Sequence, residues 1–246
     1  MTLTKNSLTE VYETKIDAAR KRFSNSHALS VILDPNVDPQ VLEAYLIYYK
    51  SLGVAMTEPV ESWIRRAGEA CKAKGMEEIG KSLCSHAQHE AGHEQMMISD
   101  TKVLVERWNS KHEPKLDVQQ LLEQPHTQGV RDYIKLHEDV IASETPFGQL
   151  AIELEIEGLS VRVIPGLMEQ FKNVLGEDII KGLSFLEDHM AIDVSHTHFN
   201  EKQLNLFLSK YPDSLDALVE AGSKALDAYA TFWNDCVELA QKLVAK

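Results

Sequence analysis

Apolar side chains recur at intervals of three and four residues along nearly the whole chain, and this periodicity constrains the fold more than any other feature. In the first segment the apolar stripe consists of Leu8, Val11, Tyr12, Ile16, Ala19 and Phe23. Such spacing places the apolar residues on one face of a helix. No segment shows the period-two alternation of a half-buried strand. The chain has only 12 glycines and 8 prolines to interrupt the pattern. We therefore expect an all-α protein.

Capping residues and prolines indicate where the helices begin and end. Asp38 followed by Pro39 is a capping side chain with proline at the first helical position, which marks a helix start. Further helices are expected over residues 76–108, over 116–142 with a break near Pro125, from Thr145 with a kink at Pro165, over 177–207, and over 213–244. No linker divides this series. The sequence predicts a single compact bundle of seven to eight helices, with one domain over residues 1–246.

Composition excludes several classes of protein. The 246 residues carry 25 Lys plus Arg against 38 Asp plus Glu, a formal net charge of −13. Such an acidic surface repels phosphate backbones, so no nucleic-acid partner is expected. No apolar run approaches the roughly 18 residues of a membrane span, and no membrane role is expected. The N-terminal segment lacks the apolar core of a secretory signal, and the 3 cysteines form no C-x-x-C pair. We expect a cytoplasmic protein.

Histidines are concentrated in two short windows. On a helix, the first window places four residues on one face, at i, i+3, i+4 and i+7: His86, His89, Glu90 and His93. The second window places three more at i, i+4 and i+7: His189, Asp193 and His196. Imidazoles and carboxylates that converge from different helices are how a bundle builds a metal site in its core. A single His/Glu pair is ordinarily a solvated surface pair, but two stripes among apolar neighbours favour a metal site.

A third set of metal ligands is expected from the helix that begins near Thr145. Glu153, Glu155 and Glu157 alternate with aliphatic residues there, and Glu153 and Glu157 share a face. A carboxylate in an apolar helix is costly to bury unless it is paired or binds a cation. We expect at least one of the three to face solvent.

The order of these motifs resembles the heme-oxygenase-like diiron oxidases, a superfamily that also contains TenA-like, PqqC-like and CADD-like helical proteins. The resemblance covers roughly residues 40–240 and is specific at the ligand motifs. It implies a heme-oxygenase-like bundle and a homodimer. It also implies six metal ligands, in which Glu157 is the central bridging carboxylate: Glu90, His93, Glu157, His189, Asp193 and His196. Some members place the first glutamate seven residues before the histidine. That position is His86 here, so either Glu90 or His86 takes this role, while His89 and Glu153 are further candidates.

Three carboxylates and three imidazoles are too many for one tetrahedral zinc and suit two metal ions with open positions. The resemblance implies two iron ions, with manganese as the alternative metal, and O2 as co-substrate. The expected function is a non-heme dinuclear iron oxidase or oxygenase, a metal-dependent oxidoreductase that acts on a small organic substrate. Arg65, Arg66 and Arg162 are candidates to bind a substrate carboxylate.

Two other functions stay open. Residues 89–93 also read H-E-x-x-H, the zinc peptidase string, in which His89 and His93 would bind zinc and Glu90 would activate water. The extended tail of that motif is absent. Alternatively, the chain is a non-catalytic interaction or scaffold protein, which is expected if the histidine stripes face solvent.

Overall fold

The structure, a computed structural model, describes residues 5–245, and the side chains of all of these except 5–8, 192, 194 and 195. Helices dominate this part of the chain, and no strand occurs in it. The α-helices are α1 (Lys5–Ser24), α2 (His27–Ile32), α3 (Pro39–Thr57), α4 (Val60–Ala73), α5 (Glu77–Ala87), α6 (Glu94–Lys111), α7 (Val118–Leu122), α8 (Gln128–Ala142), α9 (Gly148–Arg162), α10 (Ile164–Leu175), α11 (Ser184–Lys210) and α12 (Leu215–Val244). Short 3-10 helices cover Glu177–Gly182 and Pro212–Ser214. The all-α prediction is confirmed.

The number of helices differs from the predicted seven to eight, because several predicted helices are divided. Pro165 does not kink one long helix. Instead α9 ends at Arg162 and α10 begins anew with Pro165 in its first turn, where the missing N–H costs nothing. The short α2 was not predicted at all. The break near Pro125 and the start at Asp38, whose carboxylate accepts from the Gln40 N–H at 2.8 Å, agree with the sequence.

The predicted helix over residues 76–108 is wrong in one important respect. It is broken into α5 and α6 by a turn over residues 88–93. Gly92 in this turn has a φ of +88°, a left-handed conformation that glycine adopts without steric cost. Glu90 and His93 therefore lie in a turn and not on a continuous helical face.

Two helices form the centre of the fold. The 30-residue α12 packs against α1, α3, α8 and α9. Helix α9 packs against α11 and α12, and nearly all of its residues from Gly148 to Ser160 are buried. Aliphatic residues lie on every side of α9, and a helix of this kind is stable only inside a core. The three glutamates of α9 are consequently held inside the protein.

All three glutamates of α9 are buried, which contradicts the expectation that at least one faces solvent. Glu155 is 0% exposed and binds the Arg20 guanidinium of α1 with two contacts of 2.8 Å. It also accepts a hydrogen bond from the Tyr12 hydroxyl at 3.1 Å. Glu155 thus anchors α1 to α9, while Glu153 and Glu157 lie on another face of the helix.

Candidate metal centre

Three chain segments deliver the predicted ligands to one place in the core. Helix α9 supplies Glu153 and Glu157, and the last turn of α5 supplies His86. Glu90 and His93 come from the turn that follows α5. Helix α11 packs against both α9 and α5, and it supplies His189, Asp193 and His196. The two histidine windows therefore meet although about 100 residues separate them.

The first cluster consists of His86, Glu90, Glu157 and His196, whose ligand atoms all lie within 4.8 Å of one another. His86 Nε2 is 2.8 Å from Glu157 Oε1 and 3.5 Å from Glu90 Oε1. His196 Nδ1 is 3.7 Å from Glu157 Oε1 and 3.6 Å from Glu90 Oε1. Two imidazole nitrogens and two carboxylate oxygens thus surround one small volume.

The second cluster consists of Glu90, His93 and His189. His93 Nδ1 is 3.2 Å from Glu90 Oε2, and the rings of His93 and His189 are 4.9 Å apart. Glu90 therefore belongs to both clusters, with Oε1 towards the first and Oε2 towards the second. A carboxylate with two oxygens can contact two ions in this way. The resemblance assigned the central carboxylate to Glu157, whereas the geometry makes Glu90 the shared residue.

Asp193 lies beside the first cluster and is 1% exposed. Its Oδ1 is 3.5 Å from His196 Nδ1, and neither of its oxygens accepts a hydrogen bond within the described part of the chain. Among the described residues, Glu157 Oε1, both nitrogens of His86, His93 Nδ1 and His196 Nδ1 also make no hydrogen bond of good geometry, although His86 Nε2 and Glu157 Oε1 are 2.8 Å apart. Buried polar atoms are nearly always hydrogen-bonded, so a group of them that faces one volume without directed partners suits a bound cation.

The donor set fits iron or manganese better than a structural zinc. It contains imidazole and carboxylate groups only, whereas Cys71, Cys84 and Cys236 are free thiols outside both clusters. Mixed nitrogen and oxygen ligation is typical of non-heme iron, and closed cysteine-rich sets are typical of structural zinc.

Burial and charge pairing perturb the pKa values of this centre strongly. Burial by itself lowers the pKa of His86, but the contacts with Glu157 and Glu90 outweigh it and raise the pKa to about 11. Burial by itself raises the pKa of Glu90, but the contacts with His86 and His93 outweigh it and hold the pKa well below the ordinary value. Burial lowers the pKa of His189. A metal ion that binds here must displace protons from imidazoles, so its affinity rises with pH.

Glu153 reaches the same cavity but belongs to neither cluster. Burial, together with the nearby charge of Glu157, raises the pKa of Glu153 to about 8. Its Oε1 accepts a hydrogen bond from Gln149, whose amide also contacts Nδ1 of the buried His137. The raised pKa favours the protonated form of Glu153 at the edge of the centre.

Two contacts that orient the ligands were missed by the sequence reasoning. Asn200 Nδ2 donates to Glu157 Oε2 at 2.5 Å and is buried. Asn200 lies four residues after His196, so it continues the 189–193–196 stripe, and this spacing could have identified it. His189 Nδ1 lies 2.9 Å from the carbonyl oxygen of Phe185. Because a carbonyl can only accept, Nδ1 carries the proton and Nε2 is the nitrogen free to bind a metal.

His89 is not among the clustered residues, although its ring lies 5.9 Å from the ring of His196. Its side chain is exposed and belongs to neither cluster. The H-E-x-x-H string needs both histidines on one helical face, but residues 88–93 form a turn. The structure therefore does not support the zinc peptidase hypothesis. The scaffold reading depended on solvent-facing stripes, whereas His86, Glu90 and Asp193 are buried.

A cavity of about 80 Å³ adjoins the centre. Glu90, Glu157, His189 and Asp193 form one part of its wall, and Glu153 lies in the same wall. The remainder is mostly aromatic and aliphatic, including Tyr49, Tyr133, Phe185, Tyr229, Phe232 and Trp233. The candidate ligands thus face a small space that is suited to an organic molecule.

Comparison with solved structures shows that the chain has the heme oxygenase-like fold. A domain of unknown function with this fold, from Shewanella denitrificans OS217, matches with a TM-score of 0.74 and 18% identity, over 98% of this chain and 95% of that one. A TenA homolog from Pseudomonas syringae pv. tomato DC3000 matches with a TM-score of 0.68 and 14% identity, over 94% and 93% of the two chains. No protein-family model matches the sequence, and no curated protein matches it significantly. Among the described helices, none is long and apolar enough to cross a membrane.

Proposed function

We propose that the protein is a non-heme dinuclear iron oxidase or oxygenase that uses O2 to oxidise a small organic substrate. The observation that supports this most is the pair of clusters that share Glu90 beside a cavity. Five of the six residues in these clusters were also expected from the sequence as ligands, namely Glu90, His93, Glu157, His189 and His196. The sixth ligand expected from the sequence, Asp193, is buried beside the first cluster. His86, which the sequence offered as the alternative first ligand, belongs to the first cluster, and its Nε2 lies closer to Glu157 Oε1 than His196 Nδ1 does.

The proposed ligands divide between two iron ions. His86, Glu157 and His196 would hold the first ion, and His93 and His189 would hold the second. Glu90 would contact both ions, and Asp193 would complete the set from α11. The three carboxylates would offset three of the four positive charges of two ferrous ions. Bound iron would supply the reduction of O2, which no amino-acid side chain performs.

The chain's own residues would hold this centre in shape. Asn200 fixes the orientation of Glu157, and the Phe185 carbonyl fixes the tautomer of His189. Partners of this kind, which orient metal ligands, ordinarily change metal affinity by about 10- to 100-fold when removed. Glu153, whose raised pKa favours the protonated form, would offer a proton at the cavity wall. The aromatic wall would exclude water from the reaction.

Metal analysis with single-ligand variants tests the proposal. We expect wild-type protein produced with iron available to bind about two iron ions per chain. Asp193→Ala should lower occupancy of one position, while Glu90→Ala should disturb both, because Glu90 contacts both clusters. His198→Ala is the matched control, since His198 is an exposed histidine on the same helix, and it should bind as much iron as wild type.

Oxygen consumption provides the second measurement. Ferrous-loaded wild-type protein and the His198→Ala variant should consume dissolved O2, and the two ligand variants should not. If the wild type binds no more iron than Glu90→Ala and leaves O2 untouched, the proposal is wrong. Binding of a single zinc in place of iron would also overturn it. Loading with manganese as well as iron decides which of the two metals the site prefers.

A further inference from the structure

The candidate metal centre presents different ligands on two of its sides. Four of the proposed ligands line the cavity described above: Glu90, Glu157, His189 and Asp193. His86 and His196, the two imidazoles of the first cluster, are not among the described residues of that wall. The first cluster can therefore be reached either from the cavity, past carboxylates, or from another side, past imidazoles.

The imidazole side lies close to the protein surface. Phe199, the third residue after His196 on α11, packs edge-on against His86 with 6.0 Å between the ring centres, and it is 38% exposed. His86 therefore lies one side chain below the surface. His196 is less covered, since its side chain is 14% exposed against 3% for His86. An ion that comes from this side meets His196 before it meets His86.

His89 lies at the outer end of this approach. Its side chain is exposed, and its ring centre is 5.9 Å from that of His196. The ring centres of His196 and His86 are in turn 5.3 Å apart. Two imidazoles that bind one ion at metal–nitrogen distances of about 2.1 Å place their ring centres roughly 5–6.5 Å apart. The three rings therefore form a series from solvent to core in which each neighbouring pair is spaced to share an ion.

We propose that His89 and His196 form an entry site that takes up a divalent metal ion from solvent and passes it to the first cluster. The inference rests on the metal centre of the proposed function. His196 Nδ1 is 3.6 Å from Glu90 Oε1, so His196 belongs to the entry site and to the cluster and can transfer the ion without releasing it to water. Glu90 directly follows His89 and faces both clusters, so one entry site serves both metal positions. Each step exchanges one ligand for another, first water for imidazole and then imidazole for carboxylate, and no electron is transferred.

An entry site and a permanent ligand differ in how their loss changes the kinetics of metal binding. An entry site lowers the barrier between solvent and the centre in both directions. Its loss therefore slows uptake and release by the same factor and leaves the equilibrium affinity unchanged. The loss of a permanent ligand instead speeds release and lowers the number of ions bound.

The rates at which metal-free protein takes up and releases Co²⁺ test the inference. Co²⁺ binds to the same kinds of imidazole and carboxylate ligands as Fe²⁺, and its visible absorption reports binding. Uptake is measured by stopped-flow mixing, and release is measured in an excess of EDTA at which the rate no longer depends on the EDTA concentration. We expect His89→Ala to slow both rates by about tenfold and to bind as many Co²⁺ ions at equilibrium as wild type.

Two further variants show which side the ion comes from. Gln88→Ala is the matched control, because Gln88 is the exposed neighbour of His89 in the same turn, and it should keep the wild-type rates. Val60 lines the cavity and is only partly buried, so Val60→Trp narrows the cavity from its solvent side. This variant should also take up Co²⁺ at the wild-type rate.

Three results would overturn the inference: wild-type rates in His89→Ala, slower uptake in Val60→Trp, or faster release from His89→Ala with fewer ions bound, which would make His89 a permanent ligand. Any of these would leave the proposed function standing if ferrous protein consumes O2. Slower uptake and release in His89→Ala, together with ferrous protein that leaves O2 untouched, would support the entry site and refute the oxidase. Wild-type protein that binds neither Co²⁺ nor iron would refute both.

Discussion

Gly92 is the residue at which backbone conformation and the candidate centre are most directly coupled. It lies in the turn between α5 and α6 with a φ of +88°, between Glu90 and His93. A Cβ atom added there would have no neighbour within 4 Å, so Gly92→Ala introduces no steric clash. Its whole cost is that of a left-handed conformation for an L-residue, roughly 1–2 kcal/mol. The chain can avoid this cost by changing the turn, which would move Glu90 and His93.

Gly75 offers a matched control for this change. It has a φ of +78°, also with no neighbour within 4 Å of an added Cβ, and lies in the turn between α4 and α5. Urea denaturation should show that Gly75→Ala and Gly92→Ala each lower the free energy of unfolding by roughly 1–2 kcal/mol. Only Gly92→Ala should also weaken iron binding, by about 10- to 100-fold, as displaced ligand geometry usually does.

The comparison of these two variants tests whether the turn positions Glu90 and His93 for a metal ion. If Gly92→Ala loses stability as Gly75→Ala does but binds iron like wild type, the turn does not position Glu90 and His93 for a metal. If both variants lose iron equally, the loss reflects general destabilisation. Iron content and the denaturation midpoint, measured on the same preparations, separate these outcomes.

Two further predictions concern buried titratable groups outside the centre. Asp100 is paired with the fully buried Lys50 and also accepts hydrogen bonds from Ser184 and Phe185 at the start of α11. Asp100→Asn should therefore lower the free energy of unfolding by about 3–5 kcal/mol. A loss below about 1 kcal/mol in urea denaturation would contradict this reasoning. His137 is fully buried against Trp63, and this burial lowers its pKa from 6.5 to about 4. The unfolded chain therefore binds a proton at a higher pH than the folded protein does. The free energy of unfolding should fall as the pH decreases from about 6.5 to about 4, by up to about 3 kcal/mol. His137→Gln should flatten this part of the pH profile of urea denaturation, and an unchanged slope would contradict the assignment.

Local patterns predicted most of the helices, because helix starts and apolar stripes are encoded over a few neighbouring residues. Asp38, Pro125 and the stripe of α1 are examples. The break at residues 88–93 was not predicted, since the apolar and polar spacing continues through it and only Gly92 marks the turn. The burial of Glu155 was not predicted either. Its partner Arg20 lies 135 residues away in the sequence, and no local pattern reports such a contact.

The candidate ligands converge in spite of the broken helix, and the reason lies in which residues precede the break. His86 still belongs to α5, so its direction follows the helical spacing that the sequence showed. Glu90 and His93 follow the helix by only a few residues, and the tight turn keeps them within contact distance of His86 and His189. A continuous helix would have carried His93 two turns along the axis from His86. The turn instead lets the two oxygens of Glu90 face different imidazoles, Oε1 towards His86 and Oε2 towards His93. The interruption that the sequence reasoning missed is thus the feature that allows one carboxylate to serve two clusters.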